Sequence, residues 1–162
     1  MHLANNQSLP IHLLAACFNN TSATYKYYWF LSILQAVEQG HTTIDKRQLF
    51  AGMVSNAWYT VNYFHVSFGK QDKLQRAIEA LRVSEALNID EKHSLIQQQL
   101  IATKNKQSQA TLSYFNSQVP HWFISPWFPS ADRKQIYEGS NQYHNNCLLH
   151  CQPTTLLSIL NG

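Results

Sequence analysis

Asn19-Asn20-Thr21-Ser22-Ala23-Thr24-Tyr25-Lys26-Tyr27-Tyr28-Trp29-Phe30-Leu31-Ser32-Ile33-Leu34 is the stretch that decides how this chain is read. A loop of helix-capping residues runs directly into a segment that is aromatic or aliphatic on nearly every side. Only Lys26, Ser32 and Gln35 interrupt the apolar surface before Glu38. A helix apolar all round is surrounded by protein. The stretch therefore predicts the hub of a helical domain, running from the Thr21–Thr24 cluster to Gln39 and stopped by Gly40. Its polar start carries free N–H groups and hydroxyls, which serve either as a simple cap or as a seat for phosphate or another anion.

Helical spacing continues on both sides. Ser8 and Pro10 open an earlier helix with Ile11, Leu14, Ala15 and Phe18 on one face. Asp45, with Gln48 three residues on, reads as a capping box for a helix carrying Leu49, Phe50, Met53 and Ala57 to about Val61. The aromatic burst that follows, up to Phe68, reads as a buried irregular turn closed by Gly69. From Asp72 the stripe Leu74, Ala77, Ile78 and Leu81 is clean. Asn88-Ile89-Asp90 ends that helix and caps the next, which is striped by Leu95, Ile96 and Leu100. Lys104 to Gln109 is a polar break or exposed continuation before Leu112 and Phe115, and Val119-Pro120 stops the helices. Aromatic, proline-punctuated residues 121–129 read as an extended segment wrapped on the core.

The expected fold is mainly α: a single helical domain of about five or six helices over residues 1–128, suited to the length of the chain. Residues 129–162 read as an irregular C-terminal tail packed on the same domain. The 162 residues carry a formal net charge of +3, and only 13% are charged, against ~25% in ordinary domains. No run reaches the ~20 apolar residues that span a bilayer, and the first ten residues do not resemble a secretory leader. Three cysteines are too few for a disulfide scaffold, so a cytoplasmic protein without membrane contact is expected.

Chemistry-bearing residues are sparse. His144, Cys147, His150 and Cys151 fall within eight positions and offer imidazole and thiolate, both zinc ligands, although the spacing is not a paired Cys-x-x-Cys knuckle. On a helix Cys147 and Cys151 would share a face. No other cofactor is expected. His65, Ser67 and Asp72 lie close in sequence, but no nucleophile elbow or glycine-rich phosphate loop accompanies them. Lys26, Lys46, Arg47, Lys70, Lys104 and Lys106 are the candidate phosphate contacts. Aromatics beside cations, as in Tyr25-Lys26-Tyr27-Tyr28, suit base stacking as well as a core.

Several runs carry a family resemblance. Asn19 to Leu31, Met53 to Tyr59, Asn62-Tyr63-Phe64-His65, Phe68-Gly69-Lys70-Gln71-Asp72, Val119-Pro120 and Ile124 to Phe128 resemble the N-terminal region of bacterial HNH endonuclease domain-containing proteins. The resemblance covers roughly residues 9–128. It implies a helical region preceding a C-terminal metal-dependent nuclease module, and a restriction or defence role. The chain shows no HNH motif, so no catalytic residue carries over. The resulting expectation is a non-catalytic domain whose partner is nucleic acid, DNA in the first instance, or a nuclease subunit. The alternatives are a helical protein–protein interaction module, including a homo-oligomer that covers aromatics around Trp122–Phe128, or a small zinc-binding protein.

Overall fold

A computed structural model describes residues 10–19, 24–70, 72–152 and 156–159. The fold is mainly helical: α1 (Ile11–Ala16), α2 (Tyr25–Glu38), α3 (Lys46–Asn62), α4 (Lys73–Ser84), α5 (His93–Ala102), α6 (Lys106–Tyr114), α7 (Pro120–Ile124) and α8 (Arg133–Asn141). Three short strands, β1 (Thr43–Asp45), β2 (Leu149–Cys151) and β3 (Leu156–Ile159), form an antiparallel sheet in the order β1-β3-β2. Ile44 and Cys151 both pair with Leu157, so the sheet ties the lead-in of α3 to the end of the chain. No helix among the described residues is long and apolar enough to cross a membrane.

The hub is α3, not α2. Twelve of the seventeen α3 residues are buried, and α2, α4, α5 and α6 all pack against it. Asp45 caps it: the chain is extended there, and Asp45 Oδ1 accepts from Arg47 N at 2.6 Å. Helix α2, expected to be enclosed, buries only Trp29, Ser32 and Ile33. Its Tyr27, Leu31, Leu34 and Val37 stay 39–50% exposed along one face. Close approach explains how α2 and α3 fit together. A Cβ on Gly52 would lie 2.8 Å from Ser32 Oγ, so the crossing requires a residue without one. The end of α2 follows the sequence, with Gly40 at φ 84° and its N–H donating to Val37 O.

Asp72 joins two helices. It is 1% exposed and caps α4 by accepting from Leu74 N at 2.7 Å and Gln75 N at 3.4 Å. Its other oxygen accepts from Thr24 N at 2.7 Å and Thr24 Oγ1 at 2.8 Å, at the start of α2. The donors of Thr24 at that helix start are thus satisfied internally by this carboxylate. Residues 20–23 of the capping cluster, and Ser8, lie outside the described residues. The α4 stripe Leu74, Ala77, Ile78 and Leu81 is buried as the spacing predicts.

Two regions differ from expectation. Residues 120–127 are helical rather than extended: Pro120 occupies the first turn of α7, where its missing N–H costs nothing, and a 3-10 turn follows at Ser125–Trp127. The region expected to be an irregular tail holds α8, whose Asp132 and Gln135 form a reciprocal capping box, and two strands. Of the aromatics from Trp122 to Phe128, only Trp122 is exposed, at 55%, so no aromatic patch exists there for a dimer to cover.

Because Asp72 satisfies four donors, Asp72→Ala is expected to cost about 3 kcal/mol in urea unfolding, and Thr24→Ala about 1 kcal/mol. The double variant should lose less than the sum, since the two residues share bonds. An Asp72→Ala loss below about 0.5 kcal/mol, the usual range for a surface change, would contradict the bridging role.

Candidate nucleic-acid interface

Leaving α3, the chain forms a loop over residues 63–70. Phe64 N donates to Tyr59 O at 2.9 Å and Val66 N to Thr60 O at 2.9 Å, which fixes its first half on the helix end. Phe68 N donates to Gln75 Oε1 at 3.0 Å, and the Phe68 ring stacks on Tyr28 at 5.7 Å, which fixes the second. Between these anchors the loop is exposed, not buried as the sequence predicts. Tyr63 is 59% exposed, Phe64 68% and Val66 46%, with His65 at φ 50° between them. Tyr59 and Tyr63, and then Tyr63 and Phe64, meet edge to face at 6.4 and 5.1 Å.

Cations follow immediately. Gly69, at φ 95°, turns the chain into the exposed Lys70, whose carbonyl accepts from Arg76 Nη2 at 3.2 Å. Lys73 and Arg76 line a shallow cavity of about 300 Å³ with Ala77, Ala80, Thr111 and the half-exposed Tyr114, between α4 and α6. At the other end of α4, Asn105 Nδ2 donates to Ser84 O at 3.2 Å, which places the exposed Lys104 and Lys106 there. Twelve helical residues set these two basic ends about 18 Å apart. Among the described residues none of these five cations is in an ion pair. Lys70, Lys104 and Lys106 are among the candidate phosphate contacts of the sequence, and Lys73 and Arg76 are not.

Three predicted phosphate contacts lie elsewhere. Lys26 is half-buried on α2 and donates to Cys17 O at 3.2 Å; burial lowers its pKa, and Cys17 opposes the shift. Lys46 is a correction, because it is 1% exposed. Its Nζ donates to Asn116 Oδ1 at 3.2 Å and to Gln152 O, and lies 5.1 Å from the Tyr137 ring centroid. Burial pushes its pKa down, opposed by Cys151 and reinforced by Arg133. The signal was present: Lys46 continues the buried series Leu49, Phe50, Met53, Val54 and Ala57 at helical spacing. Arg47 is half-buried, its Nη2 donating to Thr103 O at 2.7 Å.

The proposed zinc ligands do not converge. Cys147, Leu149 and Cys151 are buried, while His150 on β2 is only half-buried and meets Tyr143 edge to face at 5.5 Å. The expected helix is replaced by a 3-10 turn and a strand, in which alternate side chains face opposite ways, so His150 faces away from Cys151. Burial pushes the Cys147 thiol up to about 11 and the Cys151 thiol up to about 12, with Lys46 opposing the latter. His144 lines a separate surface cavity with Asn145 and Phe128. Among the described residues no three His, Cys, Asp or Glu side chains form a metal-holding group. The His65, Ser67 and Asp72 trio is no triad: Ser67 Oγ accepts from Gly69 N, and Asp72 is committed to capping.

Comparison with known protein families, curated proteins and solved structures finds no match to this chain.

His121 on α7 is buried, and its Nδ1 has no partner among the described residues. Burial, then Arg133 and Lys46, lower its pKa from 6.5 to about 4. Burial also lowers the pKa of His93, whose Nε2 sits 3.0 Å from Asn56 Oδ1. An imidazole whose folded pKa is depressed binds fewer protons folded than unfolded. Its contribution to stability is therefore full above its ordinary pKa of 6.5 and is lost as the pH falls toward 4. Urea midpoints should fall across this window in the parent and fall less steeply in His121→Phe; parallel profiles would contradict the assignment.

Proposed function

We propose that this chain is a non-catalytic recognition domain for nucleic acid with unpaired bases, DNA in the first instance, bound across the 63–70 loop and the α4–α6 face. The observation that carries the reading is the juxtaposition of exposed Tyr63, Phe64 and Val66 with the unpaired cations Lys70, Lys73 and Arg76. Rings accept stacked bases of any sequence, and cations neutralise the phosphates between them. Tyr114 adds a ring along the same face, and Lys104 and Lys106 extend its positive field. The resemblance to HNH endonuclease domain-containing proteins adds support, because two of the runs that carry it, Asn62 to His65 and Phe68 to Asp72, make up most of this loop. The surface offers stacking and charge rather than an aligned acid, base or nucleophile, so the proposal is recognition rather than cleavage.

Anisotropy titrations with a labelled single-stranded oligonucleotide test the proposal. Affinity should fall steeply between about 50 and 200 mM salt. Tyr63→Ala and Phe64→Ala should each cost about 1–3 kcal/mol, the usual value of one stacked base. Lys73→Ala and Arg76→Ala should each lower the salt slope by about one unit. Lys134→Ala, on the exposed face of α8, should change nothing. Absence of binding to single strands at low salt, or loop variants that bind like the parent, would contradict the proposal.

A further inference from the structure

On the other side of α6 lies a second basic feature that the nucleic-acid reading leaves unused. A cavity of about 370 Å³ opens between the start of α3 and the end of α6, with Lys46, Arg47, Gln109, Ser113 and Asn116 among its lining residues. Its one carboxylate among the described residues, Asp45, caps α3 through Oδ1, which accepts from Arg47 N. Lys46 is nearly fully buried, yet the acceptors of its Nζ, Asn116 Oδ1 and Gln152 O, are both neutral. No ion pair compensates it among the described residues. Burying an ammonium without a counter-charge costs several kcal/mol.

Further positive charge surrounds it. Arg133 Nη2 donates to Asn116 O at 3.4 Å, and its guanidinium carbon lies 5.6 Å from the same Tyr137 ring that Lys46 faces. Arg47 Nη2 and Gln109 Nε2 both donate to Thr103 O, at 2.7 and 2.9 Å, which holds these two donors side by side at the cavity. Only one of the five guanidinium N–H groups of Arg47 is needed for that bond. The exposed Ser113 hydroxyl adds a neutral donor. Cations and neutral donors around one cavity, with the local carboxylate already engaged, make a receptor for a small, strongly charged anion.

We propose that this cavity binds a phosphomonoester, its phosphate seated among Arg47, Ser113 and the buried charge of Lys46. The volume falls at the small end of ligand pockets, which suits a phosphate with a compact organic group. The site is separate from the α4–α6 face, so it stands or falls independently of nucleic-acid binding.

The test is thermal unfolding of the full chain titrated with inorganic phosphate and, separately, glycerol phosphate, against potassium chloride at matched ionic strength. The parent and Lys73→Ala/Arg76→Ala should show the same saturable rise in midpoint. Arg47→Ala, which removes a half-buried side chain, should weaken the apparent affinity at least about tenfold, as expected for a lost charged hydrogen bond. Lys46→Met, if folded, should lose the phosphate response. A phosphate response no larger than that to chloride, or one retained in full by Arg47→Ala, overturns the proposal. A response abolished by Lys73→Ala/Arg76→Ala also overturns it, because the anion would then be on the other face.

Discussion

Helix α3 has almost no solvent side, and the positions of the other elements follow from that. With twelve of seventeen residues buried, it must be covered by α2, α4, α5 and α6, and its polar residues must find partners inside the protein. Asn56 does so through Gln35, Ser32 and His93, and Ser55 donates to Gly52 O. Trp58 Nε1 donates to the carbonyls of Asn88 and Ile89, which holds the α4–α5 connection against the helix. Where α3 runs out of cover at Asn62, the aromatic sequence continues and has nowhere to bury. The exposed loop is a consequence of that geometry, and it opens onto the basic start of α4.

The charges sort into two environments. Asp72 and Lys46 are buried and hold elements together: one bridges the starts of α2 and α4, the other draws the start of α3 to Asn116 and Gln152. Lys70, Lys73, Arg76, Lys104 and Lys106 remain outside, gathered near the two ends of α4. Local concentration rather than total charge is what creates a field able to attract a polyanion.

Local rules made much of the helical fold legible. Asp45 caps α3 as expected, though through Arg47 N rather than in a capping box with Gln48, Gly40 ends α2, and Leu112 and Phe115 are buried at i,i+3. The misses are non-local. Whether an apolar helix is enclosed depends on what packs on it, so the composition of α2 overstated its burial and the more mixed α3 proved central. The pairing of Thr43–Asp45 with residues 156–158 joins short segments more than a hundred positions apart, and no local pattern announces it. Val119-Pro120 marked a boundary correctly but concealed that a proline which ends one helix can begin another. Lys70, Lys104 and Lys106 are exposed, as a surface reading expects, whereas Lys46 is buried, and its place at the foot of an apolar series is the local signal for that.

The central claim is that the aromatics of the 63–70 loop form a binding surface rather than misplaced core. Hydroxyl-radical footprinting of the full chain, with and without a single-stranded oligonucleotide, tests it ring by ring. The account predicts protection of Tyr63, Phe64 and Tyr114, with Tyr27 and Trp122 reacting unchanged although they are comparably exposed. Protection centred on Tyr27 or Trp122, with Tyr63 and Phe64 unchanged, would contradict it.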